Sequence, residues 1–390
     1  MSGRHRQMIR RRVHGGLYAE DMERLYHGPL PYLIMLIGAG LTVAILTGTG
    51  LALSYVAGLA PEGFWENPWV RGAVGAVLWA LVVAVGGLYL TLVERKFMAR
   101  VQVRYGPNRW GPYGILQPIA DAIKLLRKED IIPEAADPLV MRFAPIIAFA
   151  PSFVLFAAVP WTESYVASTM DIGVLFIVAV TALTPIGVLM AGWGPNNKYN
   201  LLGAMRFAAQ ELAYEIPLVL AMIGPIAAAQ SLNGVAIVEA QRGTWLGLIP
   251  RWNIFPQFLG AIIFFVAFMA ETGRIPFDIP DAEGEIVHGF TAEYSGMKFV
   301  LLLLIEYVHL IAGAALFVVL FMGGYLGPAP INPFAWFALK LLLVILFMML
   351  IRAVWFRVRI DQIMTLGWKI LLPAALFNIG FIGIYLAVTV

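Results

Sequence analysis

The sequence predicts an all-α integral membrane protein, a polytopic bundle of about nine transmembrane helices with an interfacial amphipathic helix. The first observation behind this prediction is composition. Hydrophobic residues make up 60% of the 390 residues and charged residues 13%, and the mean hydropathy is +0.80. Soluble domains contain roughly 45–50% apolar and about 25% charged residues. A water-soluble fold is therefore excluded.

The second observation is a series of long apolar runs. A bilayer core of about 30 Å requires about 20 apolar residues per helix. Such runs predict spans at 31–59, 72–93, 142–161, 171–192, 208–230, 254–270, 298–322, 335–356 and 368–389. The first span follows an arginine-rich stretch but is too long for a cleaved signal peptide, so we interpret it as a retained anchor.

The distribution of basic residues predicts the orientation, because Lys and Arg accumulate on the cytoplasmic side. With the N-terminus inside, the outer loops contain only Arg71, Arg242 and Arg251. The inner side then receives the arginine-rich N-terminus and the basic residues of loop 94–141, followed by Lys198, Arg206, Arg274, Lys298, Arg352, Arg357, Arg359 and Lys369. A multi-pass protein with a cytoplasmic N-terminus is therefore expected.

Several kinds of cofactor site are excluded by missing residues. The chain has no cysteine and five histidines, so it offers no thiolates for an iron–sulfur cluster. Only His309 lies well inside an apolar run, which leaves no histidine pair for a haem, and no dinucleotide fingerprint follows a strand. We expect no bound cofactor or metal, so electrons for any redox chemistry must come from a partner.

The long inner loop contains a pattern typical of an amphipathic helix. Leu116, Ile119, Ile123 and Leu126 recur at helical spacing, and charged residues occupy the other faces. This pattern suits a short helix in the membrane interface. The alternative is an ordinary solvated face over a packed helix.

Carboxylates inside the predicted spans are candidate functional groups, because a charge in hydrocarbon is costly. Glu211 and Glu215 are four residues apart and project from one helix face. Glu306 lies about two turns into its span with His309 nearby, and Glu271 ends a span. Together they could form a proton relay; the alternative is that each makes a permanently satisfied interhelical contact.

The inner loop 271–297 combines acids, prolines and apolar residues. Six acids surround Arg274, and Pro276 and Pro280 restrict the backbone. The acids are Glu271, Asp278, Asp281, Glu283, Glu285 and Glu293. Interleaved apolar residues favour a folded segment, which is either a cap over a binding cavity or a docking surface for a soluble partner.

Four segments of the chain resemble signatures of the H subunit of bacterial NADH:quinone oxidoreductase, respiratory complex I. Two are inner loops, ERKFMARVQVRYGPNRWGPYGILQPIADAIKLLRKEDIIP at Glu94–Pro133 and AETGRIPFDIPDAEGEIVHGFTAEY at Ala270–Tyr294. The others are RFAAQELAYEIP around Glu215 and RIDQIMTLGWKILLP near the C-terminus. The resemblance covers roughly residues 73–390.

This resemblance implies a membrane subunit at the heel of the complex, where a quinone headgroup enters a chamber shared with the peripheral arm. Arg274, Asp278, Glu283 and Glu285 would shape the chamber, with Glu94, Arg95 and Asp121 in the facing loop. Glu215, Glu271 and Glu306 would begin a proton route.

The same resemblance implies the partners and the location. Quinone would be the substrate, reduced by electrons from an iron–sulfur cluster in a peripheral-arm subunit that shares the quinone site. Other partners would be the small and antiporter-like membrane subunits. The expected location is the bacterial cytoplasmic (inner) membrane, and no nucleic acid partner is expected.

The chain departs from the family pattern in three places. Residues 1–71 form an N-terminal basic tail and extra helix, ahead of the family-like membrane domain at 72–390. Gly273 and Ile275 replace the usual Asn and Ala beside Arg274. Glu211 stands where a neutral residue is usual, so a local ion pair is an alternative to a place in the relay.

Other functions are compatible with the same residues. An equivalent subunit of a ferredoxin- or coenzyme F420-dependent dehydrogenase, or of a membrane-bound hydrogenase, would differ only in electron donor. A stand-alone cation/proton antiporter would require internal repeats and broken helices, neither of which is evident. A structural anchor for the peripheral arm is the third alternative.

Overall fold

The computed structural model describes residues 68–389 except 163–169, 246–248 and 329–331. The predicted anchor at 31–59 lies outside the described residues. Within them the regular secondary structure is helical apart from two short antiparallel strands, β1 Thr244–Trp245 and β2 Ile249–Pro250. The prediction of an all-α membrane protein is confirmed.

Thirteen α-helices make up the described part of the chain, and the short turns between them include 3-10 segments at Pro112–Gly114, Leu155–Ala158 and Gly289–Thr291. The helices are α1 Pro68–Val101, α2 Gln117–Leu126, α3 Pro138–Val154, α4 Gly173–Thr181, α5 Thr184–Trp193, α6 Lys198–Ala229, α7 Gly234–Glu239, α8 Phe258–Glu271, α9 Glu283–Ile286, α10 Gly296–Phe321, α11 Pro333–Val354, α12 Ile360–Thr365 and α13 Leu372–Thr389. A π-helical segment, Leu366–Leu371, joins α12 to α13.

Six helical stretches are long and apolar enough to cross a membrane, and α8 is a shorter apolar helix. The six are Pro138–Ala158, Gly173–Trp193, Lys198–Ala229, Gly296–Phe321, Pro333–Val354 and Ile360–Val388. Helix α1 covers the predicted span 72–93. The total of nine spans stays a prediction.

Predicted span 171–192 is divided into two helices. The regular helix ends at Thr181, and α5 begins at Thr184 with Pro185 in its first turn. Because Pro185 lacks a backbone N–H, it cannot continue the hydrogen-bond ladder of the preceding helix. The break places Thr184 at a helix start inside the bundle, where its side chain is fully buried.

Helix α2 confirms the predicted amphipathic helix. Its apolar positions Leu116, Ile119, Ile123 and Leu126 are exposed, by 43–62%. An exposed apolar stripe beside basic side chains suits the membrane interface.

Close packing of α8 against α10 brings two candidate residues to the same level of the bundle. A Cβ at Gly313 would lie 1.7 Å from the ring of Phe268, so only glycine permits this approach. Phe268 lies one turn before Glu271, and Gly313 lies one turn after His309. The contact therefore positions Glu271 and His309 next to each other.

Candidate functional site

A buried arginine forms the centre of the site. Arg274 follows the end of α8, and its side chain is only 2% exposed. Its Nη1 donates to Oε2 of Glu94 at 3.1 Å, and its Nε lies 2.7 Å from Oε1 of Glu306. Two carboxylates thus compensate a charge that would be very costly to bury alone.

A second arginine completes a charge-balanced network. Arg352, from α11, donates to Oε1 of Glu94 and lies 4.0 Å from Oε1 of Glu306. The ring of Tyr307 lies 4.6 Å from the Arg274 guanidinium. We call Glu94, Arg274, Glu306 and Arg352 the Arg274 cluster; it joins α1, α10, α11 and the loop after α8.

The Arg274 cluster borders a cavity of about 140 Å³, which we call the chamber. Its ionisable lining comprises Glu271, Arg274, Asp278, Asp281, His288, Glu306, His309 and Arg352. Apolar side chains, among them Phe207, Phe290 and Phe299, line the rest. Loop 271–297 therefore contributes directly to a cavity wall.

The loop after α8 is held in place by side chains from other elements. Nε2 of Gln210 donates to the carbonyl oxygens of Ala270, at 2.6 Å, and Phe277, at 3.0 Å. Nε of Arg357 donates to the carbonyl oxygen of Asp278 at 2.7 Å. These bonds fix the backbone on both sides of Arg274.

Asp278 is a titratable group on this loop. Burial raises the pKa of its carboxyl to about 7, although the Arg357 guanidinium opposes this rise and the carboxylates of Asp281 and Glu306 add to it. The Arg357 Nη2 lies 3.4 Å from the Asp278 carboxylate. The chamber thus contains a group that changes its charge near neutral pH.

Three further carboxylates lie close together beneath the loop. Glu211 is buried and interacts electrostatically with Glu271 and Glu215. No cation among the described residues forms an ion pair with Glu211, so the local ion pair considered for it is not found there. Glu271 also lines the chamber, which links the acids of α6 to the cavity.

Four residues that were predicted to belong to the quinone chamber do not line the observed cavity. The Arg95 guanidinium lies 2.9 Å from the Asp121 carboxylate and ties α1 to α2. Glu285 pairs with Arg206 at 2.8 Å. None of these side chains lines the chamber, and Glu94 is buried behind it in the Arg274 cluster. Glu283 begins α9, and its side chain lies outside the part of the chain that the structure describes.

Sequence reasoning missed the roles of Arg352 and Tyr307 in the site. Arg352 was predicted only as a basic residue that sets orientation. The sequence did contain a signal for this role, because Arg352 lies in the last turn of an apolar helix, where a charged side chain requires a partner. Its carboxylate partner Glu94, however, is 258 positions away in sequence.

The donor set offers no metal centre in the part of the chain that the structure describes. No group of three or more His, Asp or Glu side chains there could hold a metal ion. The ionisable groups that line the chamber are carboxylates, guanidinium groups and imidazoles.

This fold and site define a class: polytopic helical membrane proteins that keep paired ionisable groups against an internal cavity. Residues 74–383 match the family model for NADH dehydrogenase, and the chain belongs to that family. Curated relatives named as the H subunit of NADH-quinone oxidoreductase are similar over most of the chain. That of Dehalococcoides mccartyi (strain CBDB1) is 47% identical over 80% of this chain and 86% of its own length. Those of Geobacillus thermodenitrificans and Brevibacillus brevis are 47% and 44% identical, covering 81% and 78% of this chain and 94% and 92% of their own lengths.

Proposed function

We propose that the chain is the membrane subunit of a proton-translocating NADH:quinone oxidoreductase that receives the quinone headgroup and couples its reduction to proton movement. The observation that carries this proposal is the position of the Arg274 cluster against the chamber. The family and the names of the relatives support the same activity.

The lining of the chamber suits a quinone headgroup. Ligand sites are mostly apolar and contain a few placed polar groups. Phe207, Phe290 and Phe299 offer apolar surface for a ring, and Arg274 and His288 offer donors for its carbonyl oxygens. Partner subunits would complete the chamber on its peripheral side.

The reducing electrons come from outside this chain. Reduction of a quinone to a quinol requires two electrons and two protons. The chain has no cysteine, so a thiolate-ligated iron–sulfur cluster must belong to a partner subunit. This chain contributes the membrane side of the site and is not catalytic alone.

Charge is the proposed link between reduction and proton movement. Unit charges 4 Å apart interact by about 4 kcal/mol when the effective dielectric constant is near 20. Negative charge on a reduced quinone would therefore shift protons on Asp278, Glu271 and Glu306, which line the same cavity. Glu211 and Glu215 continue the route into α6, toward the antiporter-like membrane subunits.

The same proposal includes the location and the arrangement of the chain. We place it in the bacterial cytoplasmic (inner) membrane with its N-terminus in the cytoplasm. The family-like membrane domain is proposed to occupy residues 72–390, whereas the predicted N-terminal tail and extra helix lie almost entirely outside the described residues. Its partners are the other membrane subunits and the peripheral arm.

Replacement of two residues in the assembled complex tests the proposal. Arg274→Ala and Glu271→Gln are expected to lower NADH-driven quinone reduction and proton uptake by inverted vesicles about tenfold or more. NADH oxidation by a soluble artificial acceptor, which needs only the peripheral arm, serves as the assembly control. Asp361→Asn is the matched variant, because Asp361 is exposed on α12 and lies away from the chamber. Unchanged quinone reduction and proton uptake in both variants would refute the proposed roles.

A further inference from the structure

A second, smaller cavity lies next to the chamber and shares two residues with it. It has a volume of about 30 Å³ and is lined mostly by apolar side chains from α4, α6, α8 and α10. Glu271 and His309 line both this cavity and the chamber. The two side chains therefore form the boundary between the polar chamber and the interior of the bundle.

The smaller cavity has room for water. A space of about 10–15 Å³ is enough for one water molecule, so about two could fit here. A water needs polar partners, and Glu271, His309 and Thr181 supply them in an otherwise apolar lining. A short hydrated passage would thus begin at the chamber, pass these side chains and enter the membrane region.

The imidazole of His309 is held at this boundary by a neighbour on another helix. His309 is 5% exposed, and its Nε2 lies 3.4 Å from Oγ1 of Thr184 at the start of α5. It lies one turn after Glu306, and Gly313 brings α8 close on its other side. The ring therefore shares the chamber lining with Glu271 of α8 and Glu306 of α10.

We infer that His309 transfers protons between the chamber and Glu271, and that Thr184 positions its ring for this transfer. Nε2 of the ring keeps its proton and stays beside Oγ1 of Thr184, which leaves Nδ1 as the acceptor. A proton released by a donor in the chamber binds Nδ1, so one N–H bond forms and the ring becomes imidazolium. The same Nδ1–H bond then breaks, and the proton passes through water to the Glu271 carboxylate, where an O–H bond forms. No electron moves, and the ring is neutral again before the next transfer. This inference rests on the proposed function and adds a residue to it.

Imidazole is suited to this position because it donates at one nitrogen and accepts at the other. The ionisable groups that face the same space are Glu271 from α8, Glu306 on its own helix, Arg352 from α11, and Arg274, Asp278, Asp281 and His288 from the loop.

The alternative is that His309 only fills space and bonds to Thr184. His309→Asn distinguishes the proton-transfer role from the purely structural role. Asparagine keeps a hydrogen-bonding amide, but it cannot bind and release a proton as imidazole does. We test the variant in the assembled complex in proteoliposomes and expect His309→Asn to lower the rate of quinone reduction roughly tenfold. This effect is smaller than that of removing a typical proton-transfer group, because water can still carry some of the protons. Proton uptake driven by quinone reduction falls in parallel. Turnover and proton uptake both within about twofold of the wild type would overturn the inference.

A pair of variants at Thr184 tests the positioning role. Thr184→Val removes the hydroxyl with little change in shape and is expected to lower turnover severalfold. Thr184→Ser keeps a hydroxyl, so its turnover should stay near that of the wild type. An equal loss of turnover in both variants would indicate that Thr184 acts through packing and would contradict the positioning role.

Glu271→Gln is measured in parallel with His309→Asn. If Glu271→Gln blocks proton uptake while His309→Asn does not, the inference fails and the proposed function stands. If the wild-type complex reduced no quinone, the proposed function would fail, and the inference with it.

Discussion

The Nε atom of Arg274 lies 2.7 Å from Oε1 of Glu306, which connects the loop after α8 to α10, one of the most buried helices described. The same guanidinium donates from Nη1 to Glu94 on α1. The contact with Glu306 is an ion pair without hydrogen-bond alignment, since Nε and Nη2 of Arg274 are buried and make no hydrogen bond. Arg274 therefore retains donor capacity beside the chamber.

Glu94 and Glu306 are expected to differ in their contribution to stability. The Glu94 side chain is 7% exposed and accepts from both arginines, whereas that of Glu306 is 32% exposed. Glu94→Gln leaves two guanidinium groups under-compensated, and removing one partner of a buried pair costs about 3–5 kcal/mol. The thermal midpoint of the purified complex should fall clearly in Glu94→Gln and less in Glu306→Gln. An equal fall in both variants would contradict this difference in burial.

Asp278 gives the chamber a dependence on pH near neutrality. Burial raises the pKa of its carboxyl to about 7 in the folded protein, above the ordinary value of about 3.9. Its contribution to stability is therefore fully present below about pH 4 and is lost as pH rises through about 7. Asp278→Asn, which resembles the protonated form, should reduce the loss of thermal stability between about pH 4 and 7.

The control for this experiment is Asp361→Asn, which removes an exposed carboxylate on α12. Its stability should follow the wild-type dependence on pH. If Asp278→Asn followed it too, Asp278 would not be the group that titrates.

Local patterns allowed much of the fold to be predicted. The apolar runs located the described spans because burial in lipid requires length and apolarity, and the spacing of Leu116 and Ile119 predicted α2. Glu271 was correctly placed at a helix end. The break before Thr184 was missed, although Pro185 was its local signal.

The candidate site was less predictable because it depends on contacts between distant segments. Arg274 and Glu94 are 180 positions apart, and nothing in their local sequence specifies that they meet. The pairs Arg95–Asp121 and Arg206–Glu285 look equally eligible for the chamber in sequence, yet they connect elements outside it.

Gln210 is expected to act on the chamber through the backbone. Its amide donates to the carbonyl oxygens of Ala270 and Phe277, on either side of Arg274. Gln210→Leu removes one of the two hydrogen bonds that each carbonyl accepts, since Ala270 also accepts from the N–H of Gly273 and Phe277 from the N–H of Ile279; each lost bond costs about 0.5–1.5 kcal/mol. We expect a lower thermal midpoint together with slower quinone reduction, because the loop loses its fixed position.

The comparison for Gln210→Leu is Gln117→Leu. Gln117 donates to Asp121 on α2, away from the chamber. This change should leave quinone reduction within about twofold of the wild type, because it removes a single partly exposed hydrogen bond. If both variants slowed the reaction alike, the effect of Gln210 would not come from the loop.

Lys340 is a buried cation whose expected role is structural and separate from the chamber. Its Nζ donates to the carbonyl oxygens of Met322, Gly324 and Leu326 at 2.6–2.9 Å and lies 4.5 Å from the ring of Trp252. An ammonium group has three donors, and here all three are used on carbonyls at and just beyond the end of α10.

Lys340→Met keeps the apolar stem but leaves these carbonyls without a donor. Each unsatisfied buried group costs about 1–3 kcal/mol, so the thermal midpoint of the complex should fall by several degrees or more. Lys340→Arg should not restore it, because a planar guanidinium cannot direct its donors to three convergent oxygens as an ammonium does. Quinone reduction per assembled complex should stay near the wild-type rate, since Lys340 does not line the chamber. A variant with normal stability and slow quinone reduction would show that Lys340 acts on the reaction instead.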